Sequence, residues 1–217
     1  MIAANTNSTD CLISPALIEG KAKIATPLKI GVLASGSGSN FEVIAQAIQK
    51  GQLNAEIPVL IYNNPEAKAV ARAKKYGIPS ILLNHRDCKT REELDTKIVK
   101  IFQAHNVEWV VMAGWMRIVT KVLLDAFADK VINIHPSLLP SFPGIRAVEQ
   151  ALAAKVKITG CTVHIARLEV DSGPILMQAA VPVLTDDTPE TLHARIQVQE
   201  HKIMLGAIAL IADRPPI

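Results

Sequence analysis

From Lys29 onward, short apolar runs alternate with helix-patterned runs, and this rhythm narrows the fold more than any other feature of the chain. The strand candidates are "KIGVLA", "IPVLIY", "SILLN", "WVVMAG", "VINIH", "CTVHIA" and "ILMQAAVPV". Between the early ones lie "NFEVIAQAIQKG", "EAKAVARAKKYG" and "REELDTKIVKIFQAHN", which have helical spacing. Gly51 and Gly77 stop the first two helices, and Thr90 with Glu93 forms a capping box for the third. Strands separated by helices of this length form βαβ units, and short apolar strands suit a sheet covered on both faces. The expected class is therefore α/β, with a doubly wound, mostly parallel sheet. After Val131 the rhythm changes. Two strands lie close together around "VDSGP", which predicts a late antiparallel strand. A long helix from Pro189, with Thr188 as N-cap, closes the pattern.

The 217 residues read as one domain over 27–217, preceded by a flexible polar extension over 1–26. That extension carries Asp10 and Glu19 and lacks both a basic start and a sustained apolar run, so it does not read as a signal peptide. A formal net charge of +3, without a dense Lys/Arg run, is too mild for a nucleic-acid partner but suits anionic small molecules. No apolar run approaches a membrane span, so no membrane partner is expected. The three cysteines, Cys11, Cys88 and Cys161, are scattered and lack CxxC spacing. They indicate neither a disulfide framework nor a zinc site, and they fit a reducing, cytoplasmic setting.

The turn "GVLASGSGSN" joins a strand to a helix and invites comparison with phosphate-binding loops. A P-loop needs Lys and Ser/Thr after its last glycine, and Ser37 follows Gly36 here. A dinucleotide fingerprint needs a third glycine where Phe41 stands, and the next strand ends in "YNNP" without an acid for a ribose hydroxyl. Two readings remain. Gly38, Ser39 and Asn40 at a helix N-terminus offer N–H groups and a favourable dipole to one phosphate. Equally, the stretch is a tight turn in which Ser39 or Asn40 caps the helix.

In "VINIHP", alternation sends Asn133 and His135 to the same face, at the C-terminal strand end where open α/β sheets place ligands. An amide donor beside an imidazole can stabilise an oxyanion and move a proton, as acyl transfer requires. A strand-terminal pair that satisfies loop backbone is the competing account. Asp171, in "EVDSGPIL", is an Asx-turn residue or, if it faces His135, the group that orients the imidazole. No cysteine or serine sits in a nucleophile elbow, since "GCTVH" lacks the GxSxG arrangement. The histidines, including His85, His105 and His164, have no metal-ligand spacing, and His164 reads as a strand residue. Direct, metal-free transfer is the simplest chemistry left.

Taken in chain order, "SGSGSN", "MAGWMRIV", "INIHPSLLP", "GCTVH", "VDSGP" and "QVQEH" closely resemble the phosphoribosylglycinamide formyltransferase family. The resemblance runs from Lys29 to about Ala212 and implies the formyltransferase fold. It implies that the phosphate is that of glycinamide ribonucleotide (GAR), held by Gly38, Ser39 and Asn40, with Gln197 and Glu200 facing the same substrate. It implies that 10-formyltetrahydrofolate is the co-substrate, read by Met116, Arg117, Ile118 and Val119 with Asn133, and with Arg91 nearby. Asn133, His135 and Asp171 become the catalytic set, acting without metal, and Pro140 is expected to follow a cis peptide bond. The expected activity is formyl transfer in purine synthesis by a cytoplasmic monomer or homodimer. Rival readings are a formyltetrahydrofolate hydrolase and a non-catalytic folate- or nucleotide-binding module.

Overall fold

The computed structural model describes residues 11–17 and 26–212. Its strands are β1 (Ile13–Ser14), β2 (Leu28–Ala34), β3 (Ala55–Glu56), β4 (Leu60–Tyr62), β5 (Ser80–Leu82), β6 (Trp109–Met112), β7 (Val131–His135), β8 (Ile158–Ile165) and β9 (Ile175–Pro182). The helices are α1 (Ser39–Gln49), α2 (Ala69–Lys75), α3 (Arg91–Ala104), α4 (Lys121–Ala126), α5 (Ala147–Ala153) and α6 (Pro189–Ala212). The strands form one sheet in the order β1-β9-β8-β7-β6-β2-β4-β5, with β3 pairing to β2 off that path.

From β5 to β7 every neighbouring pair is parallel, whereas β8 runs antiparallel to both β7 and β9. This is the mostly parallel sheet with a late reversal that the sequence predicts. Alternation along β2 builds both faces. Ile30, Val32 and Ala34 join the core shared with α1 and α6, while Leu33 joins the core shared with α3 and α4. Gly31 leaves room on the second face for Phe102, whose ring lies 2.6 Å from where a Cβ would stand.

The chain leaves β2 for β4 and β5 on one side and returns to β6 on the other, so the direction of winding reverses between β2 and β6. Open α/β sheets leave a crevice at the carboxyl ends of strands at such a point. Ser35 N donates to Gly114 O at 3.0 Å, and Met116 N donates to Ser35 Oγ at 2.9 Å, which ties together the two loops that open there.

Several boundaries differ from expectation. The run "IPVLIY" forms a strand only over β4, because Pro58 has no N–H for the ladder. Helix α2 starts at Ala69 rather than Glu66, since Glu66 N donates to Asn64 Oδ1 in an Asx turn. Thr90 caps α3 as expected, accepting from Glu93 N at 3.1 Å, but the Glu93 carboxylate reaches Lys89 N rather than that of Thr90. Thr188 accepts from Thr191 N at the start of α6. Of the extension expected over 1–26, residues 11–17 and 26 are described, and β1 there pairs antiparallel with β9, Ile13 opposite Ala179; the rest lies outside the described residues. No helix among the described residues is long and apolar enough to cross a membrane.

Candidate active site

A cavity of about 700 Å³ opens at the winding reversal, walled by the β2–α1 turn, the loop after β6, the end of β7 and one face of α6. At one end, Gly38 precedes α1 in the left-handed region (φ 69), and a Cβ there would lie 2.7 Å from Ala69 Cβ. Neither Ser39 nor Asn40 caps the helix, so the capping account of this turn does not hold. Ser39 Oγ instead accepts from Gln197 Nε2 at 3.1 Å, and Asn40 Nδ2 donates to Glu200 Oε2 at 3.1 Å. One turn of α6 is thereby fastened to the first turn of α1, whose leading N–H groups have no side-chain partner. Burial pushes the Glu200 carboxyl above its ordinary range, partly offset by the Asn40 bond and the charge of His193. Asn40 Oδ1 is buried and, among the described residues, has no partner.

The floor is built by β7 and β8. In their antiparallel register Asn133 stands opposite His164 and His135 opposite Thr162, so all four side chains share one face. The β8–β9 turn adds Asp171, held in the left-handed region at φ 56. Asp171 Oδ2 lies 3.2 Å from His135 Nδ1 and accepts from Gly144 N at 2.8 Å. Asp171 Oδ1 lies 3.5 Å from His164 Nε2 and 3.5 Å from Asn133 Nδ2. Burial alone would raise this carboxyl. The bond from His164, the Gly144 N–H and the charges of both histidines outweigh it and hold it below its ordinary range. His135 Nε2 meets Phe142 O at 2.8 Å, so both of its nitrogens face oxygens, and a ring with a proton on each satisfies both contacts.

The remaining wall carries the other expected residues. Met116, Arg117, Ile118 and Val119 all line the cavity, with Met116 and Ile118 exposed at its mouth and Val119 buried. Trp115 Nε1 and Arg117 Nε are buried there and have no partner among the described residues. Pro140 follows a cis bond. The structure thus brings together Gly38, Ser39, Asn40, Met116, Arg117, Ile118, Val119, Asn133, His135, Asp171, Gln197 and Glu200 around one cavity. Arg91 is the exception: it opens α3, is exposed, and is not part of the cavity wall.

Sequence reasoning missed His164, which is 1% exposed, touches Asp171 and lies 3.2 Å from Asn133 Nδ2. The signal available was that Thr162 and His164 share a face of their strand. The pairing with β9 is irregular between Val163 and His164, a feature common beside active sites.

Comparison with known proteins gives a consistent picture. A formyl transferase family model matches residues 28–208. Phosphoribosylglycinamide formyltransferase of Bacillus subtilis (strain 168) is 41% identical over 174 residues, which are 80% of this chain and 89% of that protein. The trifunctional purine biosynthetic protein adenosine-3 of Gallus gallus is 38% identical over 196 residues, 90% of this chain but 19% of that protein. The chain therefore spans about a fifth of the length of this trifunctional relative. Among solved structures, glycinamide ribonucleotide transformylase 1 from Symbiobacterium toebii superposes with a TM-score of 0.86 at 41% identity, covering 88% of this chain and 90% of that one. Phosphoribosylglycinamide formyltransferase from Bacillus halodurans gives 0.82 at 40% identity, covering 84% and 94%.

Proposed function

The chain belongs to the formyl transferase family, and within it we propose that this protein transfers the formyl group of 10-formyltetrahydrofolate to the amine of glycinamide ribonucleotide, a step of purine biosynthesis. One observation carries the reading. Asn133, His135 and Asp171 meet on the floor of a cavity that has an uncapped helix N-terminus at one end and a partly apolar wall at the other. The first end suits a phosphate, because unpaired N–H groups and the helix dipole favour an anion there. The residue-116 wall suits a flat heteroaromatic ring, and the unpartnered nitrogens of Trp115 and Arg117 fit a ligand rich in acceptors.

The chemistry follows from the side chains. Gly38, Ser39 and Asn40 hold the phosphate of GAR, and Gln197 with Glu200 fixes its ribose, bringing the amine to the cavity floor. The amine nitrogen bonds to the formyl carbon, and the carbon's bond to folate N10 then breaks, with no acyl-enzyme between. Asn133 donates to the oxyanion that forms, and protonated His135 supports the same charge. Asp171 holds His135 and relays, through water, the proton that passes from the amine to N10. His164 steadies Asp171 and Asn133 from below. Arg91 stands outside this wall and is assigned to the outer, folate side. We place the reaction in the cytoplasm, with GAR and formyl-folate as partners and a monomer or homodimer as the working form.

Steady-state turnover of purified protein with 10-formyltetrahydrofolate, with and without GAR and in the presence of a chelator, tests this. Formyl-folate loss that requires GAR and survives chelation is expected. Equal loss without GAR would make the protein a hydrolase, and saturable binding without turnover a binding module.

A further inference from the structure

Ser137 is wholly buried two residues beyond His135, and the mechanism above gives it no part. Its hydroxyl donates to Ser141 O at 2.5 Å and lies 3.3 Å from Phe142 O. Phe142 O is the same oxygen that meets His135 Nε2 at 2.8 Å. The carbonyl of Ser137 accepts from Thr162 Oγ1 at 2.7 Å, and that hydroxyl oxygen accepts in turn from Leu139 N and from Gln178 Nε2. Thr162 is the residue opposite His135 in the β7–β8 ladder, so the turn ending at Phe142 is fastened to the sheet beside the imidazole. Phe142 itself sits at φ 54, a left-handed backbone that a phenylalanine keeps only where its surroundings hold it.

An imidazole turns about a broad, roughly two-fold torsion, so its orientation has to be set by contacts at its nitrogens. Asp171 supplies the contact at Nδ1, and the Phe142 carbonyl supplies the one at Nε2. We propose that Ser137 is a positioning residue for His135: by donating its one hydroxyl proton to Ser141 O, 3.3 Å from the Phe142 carbonyl, it holds the turn that fixes the rotation of the catalytic ring. Ser137 is not part of the cavity wall, so it acts on the reaction through the groups that the turn holds, His135 first among them. The kinetic consequence rests on the formyl-transfer reading, whereas the geometric one does not.

The test is Ser137→Ala in the full chain, read in two ways after melting shows that it folds. Loss of one hydrogen bond's worth of positioning predicts a fall of about tenfold in kcat with the KM of both substrates unchanged. Ser137→Thr keeps the hydroxyl and is expected to recover most of the rate. Independently of substrates, imidazole spectra of the ¹⁵N-histidine-labelled protein should show the His135 Nε2 proton exchanging with water at least about tenfold faster in Ser137→Ala. An unchanged exchange rate in the folded variant would overturn the proposal, as would a rise in KM with kcat preserved. If the wild type moves no formyl group, the reaction has been misread, and the exchange rate still decides the positioning.

Discussion

At Asp171 two histidines, an amide and a backbone N–H converge on one carboxylate, while at Glu200 a single amide meets a carboxylate sunk between two helices. The two acids accordingly shift in opposite directions. A carboxyl held below its ordinary value of about 3.9 contributes stability that is present above that pH and lost as pH falls through the folded value. Asp171→Asn should therefore melt below the wild type at pH 7, by about 1–3 kcal/mol, with the gap closing toward pH 3. Thermal melts across that range read the effect, and kcat should fall with it. Glu200 carries the opposite sign: its folded value is raised, so the wild type loses stability as pH rises through it. Glu200→Gln should melt above the wild type, with the gap opening as pH rises above the ordinary carboxyl value, while the KM for GAR worsens. Asn133→Ala removes an oxyanion donor and should cost about 100- to 1,000-fold in kcat, with GAR binding intact by calorimetry.

At the scale of elements, the pairing of β8 with its two neighbours decides whether the floor exists. A Cβ on Gly160 would lie 1.9 Å from Ala179 O, a backbone atom that cannot step aside without moving β9. Gly160→Ala should cost at least the about 1–3 kcal/mol of ordinary overpacking, measured by urea unfolding. Strand–helix alternation made β2, α1, α3, β6, β7 and α6 legible in the sequence, because each spans enough residues to show its period. The two-residue strands β1 and β3 show no period and were invisible. Asn133 and His135 could be placed on one face from alternation alone. That Asp171 faces them could not be read, because it depends on a turn between strands whose register is set in three dimensions. Local pattern makes Ser39 and Asn40 phosphate ligands or caps, but their ties to Gln197 and Glu200 span more than 150 positions of chain, which no local pattern carries. The residue-116 wall and the α6 pair were identified through the family resemblance rather than from spacing.

At the scale of the molecule, the sheet is completed by residues far apart in the chain, and β9 stands between β1 and the strands β7 and β8 that floor the cleft. Residues 11–17 cover the outer edge of β9, with Ala180 N donating to Leu12 O at 2.9 Å and Leu17 packed near Gly206. None of them lines the cavity. Removing residues 1–25 should lower the melting temperature by several degrees, about what loss of 1–2 kcal/mol does in a domain of this size, and leave both KM values unchanged. The central claim concerns the whole assembly of phosphate end, catalytic floor and folate wall, and following the formyl carbon tests it most directly. Enzyme incubated with ¹³C-formyl-labelled 10-formyltetrahydrofolate and GAR should place the label on the GAR amine, with no labelled protein when GAR is omitted. Label recovered as free formate at the same rate with and without GAR would contradict the account.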